Sequence, residues 1–154
     1  MNAKNGAFST KFYQNPERSE MDTSKEYIEM CRKAVEVQGV WESKTGDWYF
    51  WSKAIGNKIR VVQYDGKKDI YCTWLPRQDQ LQDMVREDTD YHTLMKFDTW
   101  VFTLARVYDD IIIEKFSMEQ LWLAFIMHEK YGKKWDGEDW VKPPQTEAET
   151  PDAP

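Results

Sequence analysis

The stretch Trp48-Tyr49-Phe50-Trp51, followed by Lys58-Ile59-Arg60-Val61-Val62-Gln63-Tyr64 and Asp69-Ile70-Tyr71-Cys72-Thr73-Trp74, decides the fold class. All three runs are rich in aromatic and β-branched residues, which suit a pleated surface. Gly56-Asn57 separates the first two, and Asp65-Gly66 separates the last two as a hairpin signal. The simplest layout is a three-stranded antiparallel meander. Side-chain alternation puts Trp48 and Phe50 on one side of the first strand and Tyr49 and Trp51 on the other. In the second strand it separates Ile59 and Val61 from Arg60.

Upstream, Thr23-Ser24-Lys25-Glu26 reads as a capping box. Apolar residues then recur at Tyr27, Ile28, Cys31, Ala34 and Val35, so a helix is expected over about 24–38, with Gly39 as its stop. Downstream, Pro76 opens a short helix over about 77–86. Leu94, Phe97, Trp100, Val101, Leu104 and Val107 give a second long one. Ile111-Ile112-Ile113 fits a helix end or a turn. Ser117 and Gln120 form another capping box ahead of Met118, Leu121, Trp122, Phe125 and Ile126, and Gly132 is placed to end that helix. With Leu123, Ala124 and Met127 on its other side, this helix is expected to pack on more than one face. The fold class is therefore α+β: an N-terminal helix, a three-stranded antiparallel sheet, then two to three helices packed on it.

The chain has 154 residues, 41% of them hydrophobic and 15% aromatic, enough for one domain with a core of its own. Residues 1–20 lack periodicity, and residues 142–154 combine prolines with acids, so both are expected to be disordered tails around a single domain at 21–141. No apolar run approaches the roughly 20 residues that a membrane span needs, and the N-terminus has no secretory pattern. A cytoplasmic protein is expected. Cys31 and Cys72 belong to no metal or redox spacing and read as reduced core thiols.

The net charge of −6 argues against indiscriminate attraction to phosphate and favours a protein partner. No phosphate loop, dinucleotide fingerprint or nucleophile elbow is present, and two histidines leave little material for a triad or a zinc site. His128-Glu129 resembles half of a zincin helix without its second histidine. Asp109-Asp110 beside Glu114 could hold a divalent cation, or simply close a helix in water. Asp136-Gly137-Glu138-Asp139 lacks the spacing of a calcium loop. These residues therefore call for no enzyme, metal or cofactor.

Two surfaces remain as binding candidates. The first is the aromatic strand: Trp48 and Trp51, with Trp74, Arg60 and Lys58 on neighbouring strands, could face outward as a protein-binding patch or a stacking platform for bases, or be covered as core. The second is the start of the short helix, where Arg77 and Gln78 could hold an anion, or where Asp79 merely stabilises the helix start. Trp135 and Trp140 either line a partner groove or fold back over the core.

The segments Trp41 with Gly46-Asp47-Trp48, Trp74 to Gln82 (WLPRQDQLQ), and Ser117 to Phe125 continuing through Glu129 to Trp135 (EKYGKKW) resemble a group of small proteins encoded by bacteriophages and prophages of Gram-positive bacteria. The resemblance covers about 22–140, apart from Glu87 to Phe116. It implies a phage accessory product and carries no catalytic activity with it. The expected function is a non-enzymatic accessory protein that binds a host or phage macromolecule, one form being a host-defence inhibitor that mimics phosphate with the Asp109/Asp110/Glu114 and Asp136/Glu138/Asp139 acids. The alternative is a nucleotide or single-stranded nucleic-acid binder that uses the aromatic sheet. Oligomeric state is left open.

Overall fold

The computed structural model describes residues 21–52, 56–61, 71–108 and 115–143. The expected tails lie outside these residues, except for Lys142 and Pro143, as do Asp65-Gly66, Ile111-Ile112-Ile113 and the acids Asp109, Asp110 and Glu114. The architecture is mixed α+β. In chain order it comprises α1 (Lys25–Lys33), α2 (Val35–Gly39), β1 (Trp48–Trp51), β2 (Lys58–Val61), β3 (Cys72–Leu75), α3 (Gln78–Met84), α4 (Asp90–Tyr108), α5 (Met118–Tyr131), β4 (Lys134–Trp135) and β5 (Trp140–Val141).

The sheet is antiparallel, but it is not the expected meander. Its order is β2-β1-β3, with β1 pairing to both neighbours. The reason lies in composition. Every residue of β1 is aromatic and half-buried, which suits a central position, whereas Lys58-Ile59-Arg60-Val61 is exposed along its whole length. An Asp65-Gly66 hairpin would have paired β2 with β3; instead these two strands are the opposite edges of the sheet.

The N-terminal helix also departs from the expected continuous element. Ser24, not Thr23, is the N-cap, its hydroxyl accepting from the Tyr27 N–H at 3.1 Å. The helix then breaks at buried Ala34, whose ψ of 66° is not helical. This break rotates the apolar face, so that Val37 is buried and Val35 is left 64% exposed. Gly39 closes α2 without a left-handed residue, and Val40 follows at φ −90°.

The turn to α2 brings Gln38 to the outer edge of β3. Its carboxamide donates to the Trp74 carbonyl at 3.0 Å and accepts from the Trp74 N–H at 2.9 Å, completing an edge that would otherwise be unpaired.

The helix α5 agrees with its sequence pattern at both ends. The Ser117–Gln120 box closes in both directions, and Gly132 is left-handed at φ 61°. Leu121, Trp122, Leu123, Phe125, Ile126 and Met127 are all buried, so this helix packs on more than one face. Its Trp122 stacks on Phe97 of α4 with ring centroids 3.8 Å apart, and Phe125 meets the same ring edge-on at 5.5 Å. The inward stripe of α4 starts at Thr93 rather than Leu94, which is 51% exposed. Thr93 turns inward because its hydroxyl accepts from the Glu87 N–H and donates to the Thr89 carbonyl, tying down the loop that enters the helix.

The short β4–β5 hairpin has no counterpart in the sequence reading. Asp136 makes its turn, accepting from the N–H groups of Glu138 and Asp139 at 2.9 and 2.8 Å. The hairpin folds back on α1: Trp140 is buried, and its indole donates to the Met30 carbonyl at 3.0 Å.

Candidate functional site

Burial falls steadily across the sheet. In β3, Thr73, Trp74 and Leu75 are buried; β1 is half-buried; β2 is exposed. The β3 end is covered because Trp41 stacks on Trp74, 5.9 Å between centroids and 3° from parallel, while α1 lies along β3 and its Tyr27 hydroxyl reaches the Pro76 carbonyl. Nothing among the described residues covers β2 to the same extent, so the least covered part of the sheet is its β1–β2 half, in which Trp48, Tyr49 and Phe50 of β1 still pack against the core.

The strand register sorts that half into two chemical faces. Trp48 is opposite Val61 and Phe50 opposite Ile59, which makes one face apolar. Tyr49 is opposite Arg60 and Trp51 opposite Lys58, which makes the other face aromatic and cationic. On this second face the Arg60 guanidinium lies 5.3 Å from the centre of the Trp51 ring, a cation–π contact. Neither Lys58 nor Arg60 has an ion-pair partner among the described residues. Half-buried Cys72 follows Trp51 along the same row.

The candidate residues are therefore not one group. Trp51 and Arg60 share the cationic face and Trp48 belongs to the opposite one, while Trp74 is core beneath Trp41. Tyr49 and Lys58 complete this face, the register setting Tyr49 opposite Arg60 and Trp51 opposite Lys58.

Arg77 is already engaged. Its guanidinium holds the Asp79 carboxylate in two hydrogen bonds of 3.0 and 3.1 Å and donates to the Gly46 carbonyl at 3.1 Å. Gln78 is half-buried on the first turn of α3. At this helix start Arg77 and Gln80 gather around Asp47, which is 3% exposed. Asp47 accepts from the Trp41 indole and the Lys44 N–H at 2.9 Å each and from the Gln80 carboxamide at 2.6 Å.

The acids at 136–139 are likewise committed to structure. Backbone N–H groups of Asp139 and Glu138 hold the Asp136 carboxyl below its ordinary pKa, and Lys33 donates to the Glu138 carbonyl. Asp109 and Asp110 lie outside the described residues. His128 is exposed beside Glu129 and Trp100, and no group of three His, Cys, Asp or Glu among the described residues is placed to hold a metal ion.

A cleft of about 340 Å³ opens between α3, α4 and α5 beside Arg86, Glu87, Thr93, Lys96 and Glu129. Two of its cations are paired: Lys96 with Glu87, which raises the lysine pKa, and Arg86 with Asp83 and Asp90.

Burial pushes the thiol pKa of Cys31 far up, outweighing the opposing effect of its contact with Tyr27, so this cysteine is a poor nucleophile. No helix among the described residues is long and apolar enough to cross a membrane. No known protein family, curated protein or solved structure matches the chain.

Proposed function

We propose that the chain is a non-enzymatic accessory protein of phage or prophage type, which works inside the bacterial cell by binding a host or phage macromolecule. The observation that carries this reading is the uneven cover of one sheet. Three stacked or hydrogen-bonded contacts, from Trp41, Gln38 and Tyr27, seal its β3 end, while β2 is exposed at all four positions beside a strand made wholly of aromatics. A folded protein commonly buries such aromatic area, and a partner that lies across β1–β2 would bury it.

Photocrosslinking tests the reading. A photoreactive residue replacing Lys58 in β2, in the full chain expressed in the phage host, is expected to capture a defined macromolecule. The same residue replacing exposed Lys25 on α1 is expected to capture none. Equal capture from both positions, or none from either, overturns the assignment.

A further inference from the structure

We infer that β2 accepts an extended segment of a protein partner as a fourth strand of the sheet, a segment whose residues alternate between acidic and apolar. This rests on the β1–β2 half of the sheet being the binding surface and adds the form of its partner. β2 is an edge strand: β1 pairs with it on one side, and no strand among the described residues pairs with it on the other. All four of its residues are exposed.

The register fixes where its backbone groups point. In an antiparallel sheet the N–H and C=O of one residue point to the same side, and successive residues alternate. The Ser52 N–H donates to the Tyr71 carbonyl at 3.0 Å, so Ser52 is turned toward the β3 side. Trp51 before it, and Tyr49 two residues further back, are therefore turned toward β2, where they stand opposite Lys58 and Arg60. Lys58 and Arg60 thus direct their backbone groups to β1, and Ile59 and Val61 hold theirs outward. An edge of this kind is a template for an added strand.

The side chains state what that strand must carry. Ile59 and Val61, 37% and 38% exposed, form an apolar row on one face. Lys58 and Arg60 form a cationic row on the other, and neither is neutralised by a carboxylate among the described residues. A strand laid along β2 sets its residues directly opposite these, on the same faces. It is matched by apolar residues across from Ile59 and Val61 and by Asp or Glu across from Lys58 and Arg60. A phosphate chain would answer the two cations but leave the apolar row and the backbone groups of Ile59 and Val61 unmet. A second copy of β2 would set these cations against their own kind, so a strand of opposite charge is the one admitted.

The test is fluorescence anisotropy of a labelled octapeptide of alternating Val and Glu, titrated with the full chain at low salt. Binding is expected, and it should weaken as salt is raised. A peptide of the same composition with its Val and Glu in separate blocks should not bind. N-methylation of every Val, whose N–H must meet β2, should abolish binding, whereas N-methylation of every Glu, whose N–H points away, should be tolerated. The pair Lys58→Glu with Arg60→Glu should lose this peptide and gain an alternating Val-Lys peptide, a gain that also shows the variant to be folded. Oligothymidine at the same concentration should not displace the Val-Glu peptide.

No binding by the wild type, equal binding of the block peptide, indifference to N-methylation of Val, or displacement by oligothymidine overturns the inference. If the Lys58 crosslinker then still captures a macromolecule, the reading of this half of the sheet as the binding surface stands and only the added strand falls. If it captures nothing, both fall.

Discussion

The carboxylate of Asp47 and the carboxamide of Gln80, 33 residues apart in the chain, meet at 2.6 Å in a nearly dry site. Around them, the Trp41 indole and the Lys44 N–H donate to the other carboxylate oxygen. Gln80 is at the same time the acceptor for the Arg77 N–H at the start of α3, at 3.0 Å. One buried acid thereby joins the loop before β1 to the helix after β3, and holds the Trp41 ring where it stacks on Trp74.

Asp47→Ala leaves three donors without their acceptor and should destabilise the fold by on the order of 3 kcal/mol. Urea denaturation should show a lower midpoint with an unchanged slope. A loss near zero would mean that the network contributes nothing to stability.

Gln38→Ala removes both hydrogen bonds to the Trp74 backbone and uncovers the edge of β3. A cost of about 1–2 kcal/mol is expected. The more specific readout is amide exchange: the Trp74 N–H should lose protection while the N–H groups of α5 retain theirs.

Stability should depend on pH through Glu36. Burial raises its pKa, but the hydrogen bond and charge of Lys133, at 2.5 Å, outweigh that and leave it below the ordinary value of 4.5. A carboxyl depressed in the folded state adds stability that is complete above its unfolded value and is lost as pH falls through the folded one. For this partly exposed pair the contribution should be about 1 kcal/mol. Comparison of the wild type with Glu36→Gln from neutral pH down to acid should therefore show a gap that closes below the carboxylate range. A gap that is constant with pH would refute the assignment.

Gly132 caps α5 at φ 61° with open space around its Cα, so Gly132→Ala meets no clash and only backbone strain. Thermal unfolding should shift downward by the equivalent of about 1 kcal/mol.

Native-state alkylation should modify Cys72 and spare Cys31, which is fully buried with its thiol pKa pushed up. Mass spectrometry should find one label per native chain and two after denaturation. Two labels on the native chain would contradict the packing of α1.

Much of this structure is legible in local pattern. The α+β class, the positions of the three strands, the two ends of α5 and the separation of Trp48 and Phe50 from Tyr49 and Trp51 all follow from residues near one another in sequence. Periodicity, capping and alternation act over that range, so the sequence by itself determined them.

The tertiary structure decided the rest. Strand order depends on which pairing buries the most aromatic area, and that placed β1 between its two neighbours. The break at Ala34 follows from the demands of the sheet edge, where Gln38 completes the hydrogen bonding of Trp74 from 36 residues away. Leu94 and Thr93 exchange roles because a threonine hydroxyl can satisfy a loop and a leucine cannot. The candidate site itself was half legible: Trp51 and Arg60 stand out by residue type. Alternation already set Tyr49 beside Trp51, and Lys58 stood out with Arg60 on the next strand; the register decided which residue faces which, and only the Trp41 stack covered Trp74, because both are contacts between residues far apart in the chain.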